Sequence, residues 1–172
     1  MSKNIYALLV GIDRYAPTSV APIPTLKGCA NDINAIETYL RDLKRQIAGE
    51  WTLQPPKKLI DEQATRQAIV DGFLQYLTQA DSNDIALFYC SGHGSQEPAP
   101  PEFMHLEPNG LLETLVCYDS RTTGNHDLAD KELRYLLKTI KAIEEIALET
   151  LSIALWGRSI GISLQTRSSS FR

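Results

Sequence analysis

Several features are scarce or absent in this chain of 172 residues, and each absence excludes a class of protein. No apolar stretch approaches the ~18–20 residues that a membrane-spanning helix needs. The formal net charge of −4 leaves no basic surface for nucleic acid, and no polybasic run indicates binding to a membrane. The three cysteines are odd in number and lack C-x-x-C spacing, so we expect a reduced, cytoplasmic setting.

The residues that are present predict one α/β domain with a substantial core. Apolar runs predict strands near residues 5–12, 58–60 and 84–90, and a further short strand at 113–117. Apolar residues at three- and four-residue steps predict a helix from Ala30 to about Gly49 and a second helix capped by Thr65. Alternating strands and helices favour a three-layer fold with a mainly parallel central sheet.

The C-terminal quarter of the chain has an unusual pattern. We expect a third helix capped by Asp130, and neither Gly nor Pro occurs between Asn125 and Trp156 to end it. This helix is therefore predicted to extend past Ile143, at least to Ala147. The serine-rich segment that follows lacks acidic residues and indicates an irregular tail. We divide the chain into a domain at residues 1–150 and an irregular C-terminal tail at residues 151–172.

The most informative segment extends from Asp84 to Ser95, where six apolar residues end at the sequence Ser-Gly-His-Gly. Glycines on both sides of His93 let the backbone turn sharply and approach other groups closely. A histidine at the carboxyl end of a strand lies where open α/β sheets bind ligands. A structural histidine is the other interpretation, and these residues alone leave both open.

Three segments in combination resemble the caspase-like peptidases, and within them the metacaspases and orthocaspases. They are Ala7–Ile12, the Gly-Cys-Ala-Asn-Asp sequence at residues 28–32, and Tyr89–Ser95. The segment Asp127–Leu133 is similar to the one that leads into the third helix of that family, and the likeness covers about residues 5–141. The resemblance implies a caspase-like fold and a Cys–His dyad that cleaves peptide bonds, with no cofactor.

The resemblance also implies roles for individual residues. His93 is the expected general acid/base, and the N–H of Gly94 is expected to contribute to the oxyanion hole. Cys29, Asp32 and Ser91 match positions in an acidic pocket, which in this branch takes Arg or Lys before the cleaved bond. The implied partner is a peptide or protein substrate with such a residue. Each position also has a structural interpretation: a small buried thiol, a carboxylate in the first turn of a helix, and a turn-forming hydroxyl.

Calcium regulates some members of that family, and Glu113 and Asp130 roughly match ligand positions. Two solvated carboxylates explain these residues equally well. His93, His105 and His126 have no spacing typical of a metal site. The sequence therefore predicts no metal.

The nucleophile of the family is missing from its expected place. The family carries it after the next strand in an Asp-x-Cys-His-Ser-Gly motif, which also supplies a second carboxylate to the pocket. Here residues 152–159 read Ser-Ile-Ala-Leu-Trp-Gly-Arg-Ser, and no cysteine follows Cys117. Cys90 lies three residues before His93 on the same strand, where packing directs it inward and raises its pKa.

We interpret the chain as truncated or frame-shifted before this cysteine, with C-terminal strands missing or disrupted. The frame would change between Lys141 and Trp156. Translating the DNA beyond the codon of Ile140 in the other two frames checks the hypothesis. An Asp-x-Cys-His-Ser-Gly-like segment after about four to six apolar residues should appear in one of them. If neither frame contains that segment, the frame shift is ruled out.

Two function classes remain at this point. The first is a cysteine endopeptidase domain for basic residues whose nucleophile is absent from this chain. The alternative is a non-catalytic caspase-like module that binds or regulates an intact relative. Other classes fit poorly: Gly11-Ile12-Asp13-Arg14 matches no dinucleotide or phosphate loop, and Ser91 lies in no G-x-S-x-G elbow.

Overall fold

The computed structural model describes residues 3–19, 22–46, 49, 51–101, 104 and 109–140, together with the backbone of residues 153–156 and 159–162. A parallel sheet is built on β1 (Lys3–Gly11), whose residues are buried along most of its length. The strand β4 (Ile85–Ser91) pairs with it from Ile5↔Ile85 to Gly11↔Ser91. This register places Ser91 beside Gly11 at the carboxyl end of the sheet.

The opposite edge of β1 is shared by two short strands. β2 (Trp51–Leu53) pairs with its first residues, and β3 (Lys57–Ile60) pairs with its last four. Because β4 pairs with one edge of β1 over residues 5–11, β2 and β3 must lie on its other edge. Pro55 and Pro56 separate them, because proline has no N–H to donate to the ladder.

Helices cover both faces of this sheet, which confirms the predicted three-layer α/β fold. On one face α1 (Cys29–Gln46) buries Ile33 and Leu40 against alternate residues of β1. The other face packs against two helices. These are α2 (Arg66–Asp71), which continues through tighter and wider turns to Gln79, and α3 (Asp130–Lys138). Within the described residues no helix is long and apolar enough to cross a bilayer.

A second, antiparallel sheet follows β4 directly. It contains β5 (Gly94–Pro98), β6 (Leu111–Leu115) and β7 (Leu128–Ala129). The predicted strand at residues 113–117 thus exists but begins and ends two residues earlier. The predicted cap at Thr65 is confirmed, since its hydroxyl accepts the N–H of Ala68 at 3.2 Å.

The prediction for the third helix is wrong at both ends. Ala129 precedes the first turn, and the carboxylate of Glu132, not Asp130, accepts its N–H at 3.1 Å. At the other end, α3 stops at Lys138 although neither Gly nor Pro follows it. The hydroxyl of Thr139 donates to the Leu136 carbonyl at 2.6 Å, and the backbone N–H groups of Thr139 and Ile140 bond three residues back. These bonds satisfy carbonyls that a longer helix would use.

The expectation of an irregular tail at residues 151–172 is also wrong for eight residues. β8 (Ile153–Trp156) and β9 (Ser159–Ile162) form an antiparallel hairpin in which Trp156 pairs with Ser159. An apolar, strand-forming segment followed by Gly-Arg is typical of such a hairpin. The rest of that range, and the predicted helix extension at 141–150, lie outside the described residues. The domain boundary at residue 150 therefore stays a prediction.

Candidate functional site

His93 lies at the carboxyl end of the parallel sheet, in the turn between β4 and β5. Its backbone N–H donates to the hydroxyl of Tyr15 at 2.8 Å, and the two rings lie 5.5 Å apart between centroids. Its carbonyl accepts the N–H of Val116 at 3.0 Å. The preceding Gly92 leaves room for the same tyrosine, because a Cβ there would come within 3.3 Å of the Tyr15 hydroxyl oxygen. The half-buried imidazole is therefore held in place through its backbone on both sides.

Among the described residues, the side chain of His93 has one hydrogen-bond partner. Its Nε2 lies 2.8 Å from the carbonyl oxygen of Pro24. A carbonyl oxygen can only accept, so Nε2 carries a proton, and in the neutral form of the ring the lone pair lies on Nδ1. Gly94 lies exposed immediately after the imidazole, as the first residue of β5.

The three residues assigned to the acidic pocket for Arg or Lys lie together where the end of β4 meets the start of α1, and Ser91 precedes His93 by two residues. The Ser91 hydroxyl donates to Oδ2 of Asp32 at 2.7 Å, linking the end of β4 to the first turn of α1. Cys29 precedes Asp32 by three residues on the same helix and is buried. Asp32 itself is exposed, so its carboxylate is accessible to a cation from solvent.

Cys29 is a poor nucleophile in this position. Burial, together with the negative charges of Asp13 and Asp32 and against a hydrogen bond with Ser91, raises the pKa of its thiol to about 11. Cys90 packs in the main core cluster, and burial raises its pKa well above the usual value for a thiol. Burial likewise raises the pKa of Cys117 to about 12. The inward orientation and raised pKa predicted for Cys90 are therefore confirmed.

Sequence reasoning missed the residues that hold the start of α1 in place. The carboxylate of Asp13 accepts the N–H groups of Cys29 at 2.9 Å and Ala30 at 3.1 Å, which caps the helix from sixteen residues away. Burial raises the pKa of Asp13, but these backbone hydrogen bonds outweigh it and the net shift is downward. The start of α1 lies close to Gly11 of β1. A Cβ at this glycine would meet the Cys29 carbonyl oxygen at 3.0 Å and a side-chain carbon of Ile33 at 2.6 Å. A helix this close to the sheet requires glycine there.

The carboxylates that were compared with calcium ligands do not fit a calcium site. Glu113 accepts a hydrogen bond from Gln96 at 2.7 Å, and Oδ2 of Asp130 pairs with the ammonium of Lys131 at 2.8 Å. Among the described residues, the second oxygen of Asp130 and Oδ1 of Asp127 are buried without a hydrogen-bond partner, and two such oxygens are far from the six to eight that calcium takes. Over the described residues no group of three or more His, Cys, Asp or Glu side chains is arranged to hold a metal.

Comparison with known proteins agrees with this geometry. The family model described as "Metacaspase, peptidase C14 domain" matches residues 6–148. The chain belongs to the metacaspase family. It is 32% identical to metacaspase-1 of Candida albicans over 126 residues, which is 69% of this chain and 26% of that protein. It is 29% identical over 141 residues to metacaspase-1 of Plasmodium falciparum, covering 78% of this chain and 21% of that protein.

The structural comparison supports the fold of this metacaspase domain. A crystal structure of a Geobacter sulfurreducens protein superposes with a TM-score of 0.60 over 80% of this chain and 46% of that chain, at 24% identity. At this identity the match concerns the fold alone. The chain spans about a quarter of the length of the metacaspases it matches, so the activity of a whole metacaspase cannot simply be assigned to it.

Proposed function

We propose that this chain is the imidazole-bearing part of a caspase-like cysteine endopeptidase domain that recognises Arg or Lys before the cleaved bond. The observation that carries the proposal is the hydrogen bond between Ser91 and Asp32, two residues before His93 in the chain. A carboxylate oriented by a hydroxyl and accessible from solvent suits a guanidinium or ammonium group. Three free thiols in the described residues support a reducing compartment, and we place the protein in the cytoplasm.

The roles in the reaction follow from the atoms available. With Nε2–H held by the Pro24 carbonyl, Nδ1 of His93 is the atom that takes a proton from a thiol and passes it to the leaving amine. The Gly94 N–H would then stabilise the oxyanion that forms on the attacked carbonyl. None of the three thiols of this chain fits the nucleophile's role, because all are buried.

A second function is favoured by that same observation about the thiols. A domain that keeps a basic-residue pocket without an accessible thiolate would bind peptides and not cleave them. Such a module could associate with an intact caspase-like relative and compete for, or present, the same substrates. The two functions share the pocket and differ only in turnover.

Binding of a short peptide with an arginine amide terminus, followed by isothermal titration calorimetry, tests the pocket. We expect the Asp32→Asn variant to bind about tenfold or more weakly, because it loses a charge-assisted hydrogen bond. Replacing the arginine of the peptide by citrulline, which keeps the shape and removes the charge, should weaken binding to a similar extent.

Asp42→Asn is the matched control for this experiment. Asp42 lies on the same helix and pairs with Arg45 at 2.6 Å on the exposed surface. This variant should bind the arginine peptide as the unaltered chain does. Equal affinity of the Asp32→Asn variant and the unaltered chain would contradict the proposed pocket.

A further inference from the structure

A buried carboxylate at the end of β3 fixes the backbone that follows β1. Oδ1 of Asp61 accepts the N–H groups of Asp13 at 2.8 Å and Arg14 at 3.0 Å. Its Oδ2 accepts Nε of Arg14 at 3.0 Å. Asp61 is 7% exposed and adopts a left-handed backbone with φ of 46°, which Asp and Asn tolerate better than most residues. Three nitrogen atoms of two neighbouring residues are thus bound by one side chain.

Asp13, whose backbone N–H is bound by Asp61, makes hydrogen bonds to two parts of the candidate site. The carbonyl of Asp13 accepts the N–H of Leu26 at 2.8 Å, which closes the loop that brings Pro24 to the imidazole. The carboxylate of Asp13 caps α1 at Cys29 and Ala30. Asp13 therefore supports both the loop that carries Pro24, through its backbone carbonyl, and the helical turn that carries Asp32, through its carboxylate.

We propose that Asp61 is a positioning residue for both halves of the site, acting through Asp13. The described hydrogen bonds of its side chain go to Asp13 and Arg14, not to Asp32 or the imidazole. Its effect on peptide binding rests on the proposed function, whereas its effect on His93 does not. Loss of the Asp61 bonds would let residues 13–14 shift, and the Pro24 loop and the start of α1 would shift with them.

Asp61→Asn is the variant that separates this role from backbone strain. Asparagine tolerates the left-handed conformation and can still accept backbone N–H groups through one oxygen. Its amide nitrogen cannot accept from Arg14, and the negative charge is gone. The substitution therefore weakens the anchor without forcing a new backbone.

Two readouts report on the two halves of the site. Nitrogen-15 NMR of the imidazole reports whether Nε2 keeps its proton and hydrogen bond, and calorimetry with the arginine peptide reports on the pocket. In Asp61→Asn we expect the ring to become a mixture of both neutral tautomers and the Kd for the peptide to rise about five- to tenfold. Both readouts should change together.

Asp84→Asn is the matched control. Asp84 is also buried and its Oδ1 also accepts a backbone N–H, that of Asn4 at 2.7 Å, but it lies at the opposite end of β4 from His93. This variant should be less stable, with the His93 spectrum and peptide affinity unchanged. If Asp61→Asn behaves like Asp84→Asn, Asp61 is merely structural and the proposal is wrong.

A second variant tests the role of Asp61 if the first variant does not fold. If Asp61→Asn does not fold, Arg14→Ala removes one of the bonds at a side chain that is 67% exposed. It should produce a smaller change of the same sign in both readouts, and no change would overturn the proposal. If the unaltered chain binds no arginine peptide, the pocket assignment fails, and the imidazole spectrum alone decides the role of Asp61.

Discussion

The purified chain should release no more fluorophore from Arg- or Lys-terminated fluorogenic peptides than its His93→Ala variant does. An imidazole accelerates peptide cleavage in this class only by activating a thiol, and each thiol here is buried. With a pKa of about 11, fewer than roughly one Cys29 in a thousand is ionised at neutral pH. We expect a full loss of activity, of at least about a thousandfold, relative to an intact metacaspase assayed in parallel.

An arginyl electrophile directed at active-site thiols provides the second measurement. Intact-mass spectrometry should show no adduct on the native chain, while the unfolded chain should be labelled at its cysteines. The unfolded sample is the positive control for the reagent. An adduct on native protein that maps to Cys29 or Cys90 would show that this interpretation of the thiols is wrong.

Phe88→Ala should produce the largest loss of stability among single substitutions on the strand that leads to His93. Phe88 is 2% exposed on β4 and packs against Phe73, with ring centroids 4.8 Å apart. Removing a buried phenyl ring leaves a cavity and costs ~3–5 kcal/mol of the free energy of unfolding. That is a large part of the ~5–15 kcal/mol typical of a domain. Chemical denaturation followed by circular dichroism would measure it.

Tyr135→Ala is the matched control for that substitution. It removes an aromatic ring that is 69% exposed on α3, so the free energy of unfolding should change by less than about 0.5 kcal/mol. Phe88→Leu should fall between the two, since it retains most of the buried volume. A loss of stability in Phe88→Ala no larger than in Tyr135→Ala would contradict the core described above.

The parts of the fold that local patterns define could be predicted from the sequence. The buried runs of β1 and β4 and the cap at Thr65 depend on nearest neighbours in the chain, and all three are present. The end of α3 could not be predicted, because it depends on a side chain that offers a competing hydrogen bond to the last turn. The hairpin of β8 and β9 does carry a local pattern, an apolar segment followed by Gly-Arg, which the prediction of an irregular tail overlooked.

The candidate site shows the same limit at longer range. The family motifs point to His93, Asp32 and Ser91, and in the structure Ser91 bonds to Asp32 two residues before His93. The contacts that hold them come from residues far away in the chain: Asp13 caps a helix sixteen residues later, and Asp61 is forty-eight residues from the N–H that it binds. No periodicity or local capping pattern encodes such pairs, because they exist only once the sheet has formed.

The pocket and the imidazole depend on a small part of the molecule. Asp32 and Ser91 come from α1 and β4, the two elements next to the end of β1, and the hydrogen bonds described for these two elements at the site are made by Asp13, Asp32 and Ser91 themselves. Recognition and cleavage can therefore be inherited separately. If the proposed pocket binds a basic residue, a lineage that loses the reactive thiol by one event still carries that preference. Selection could then act on that preference alone, turning a former protease into a receptor for the substrates of its relatives.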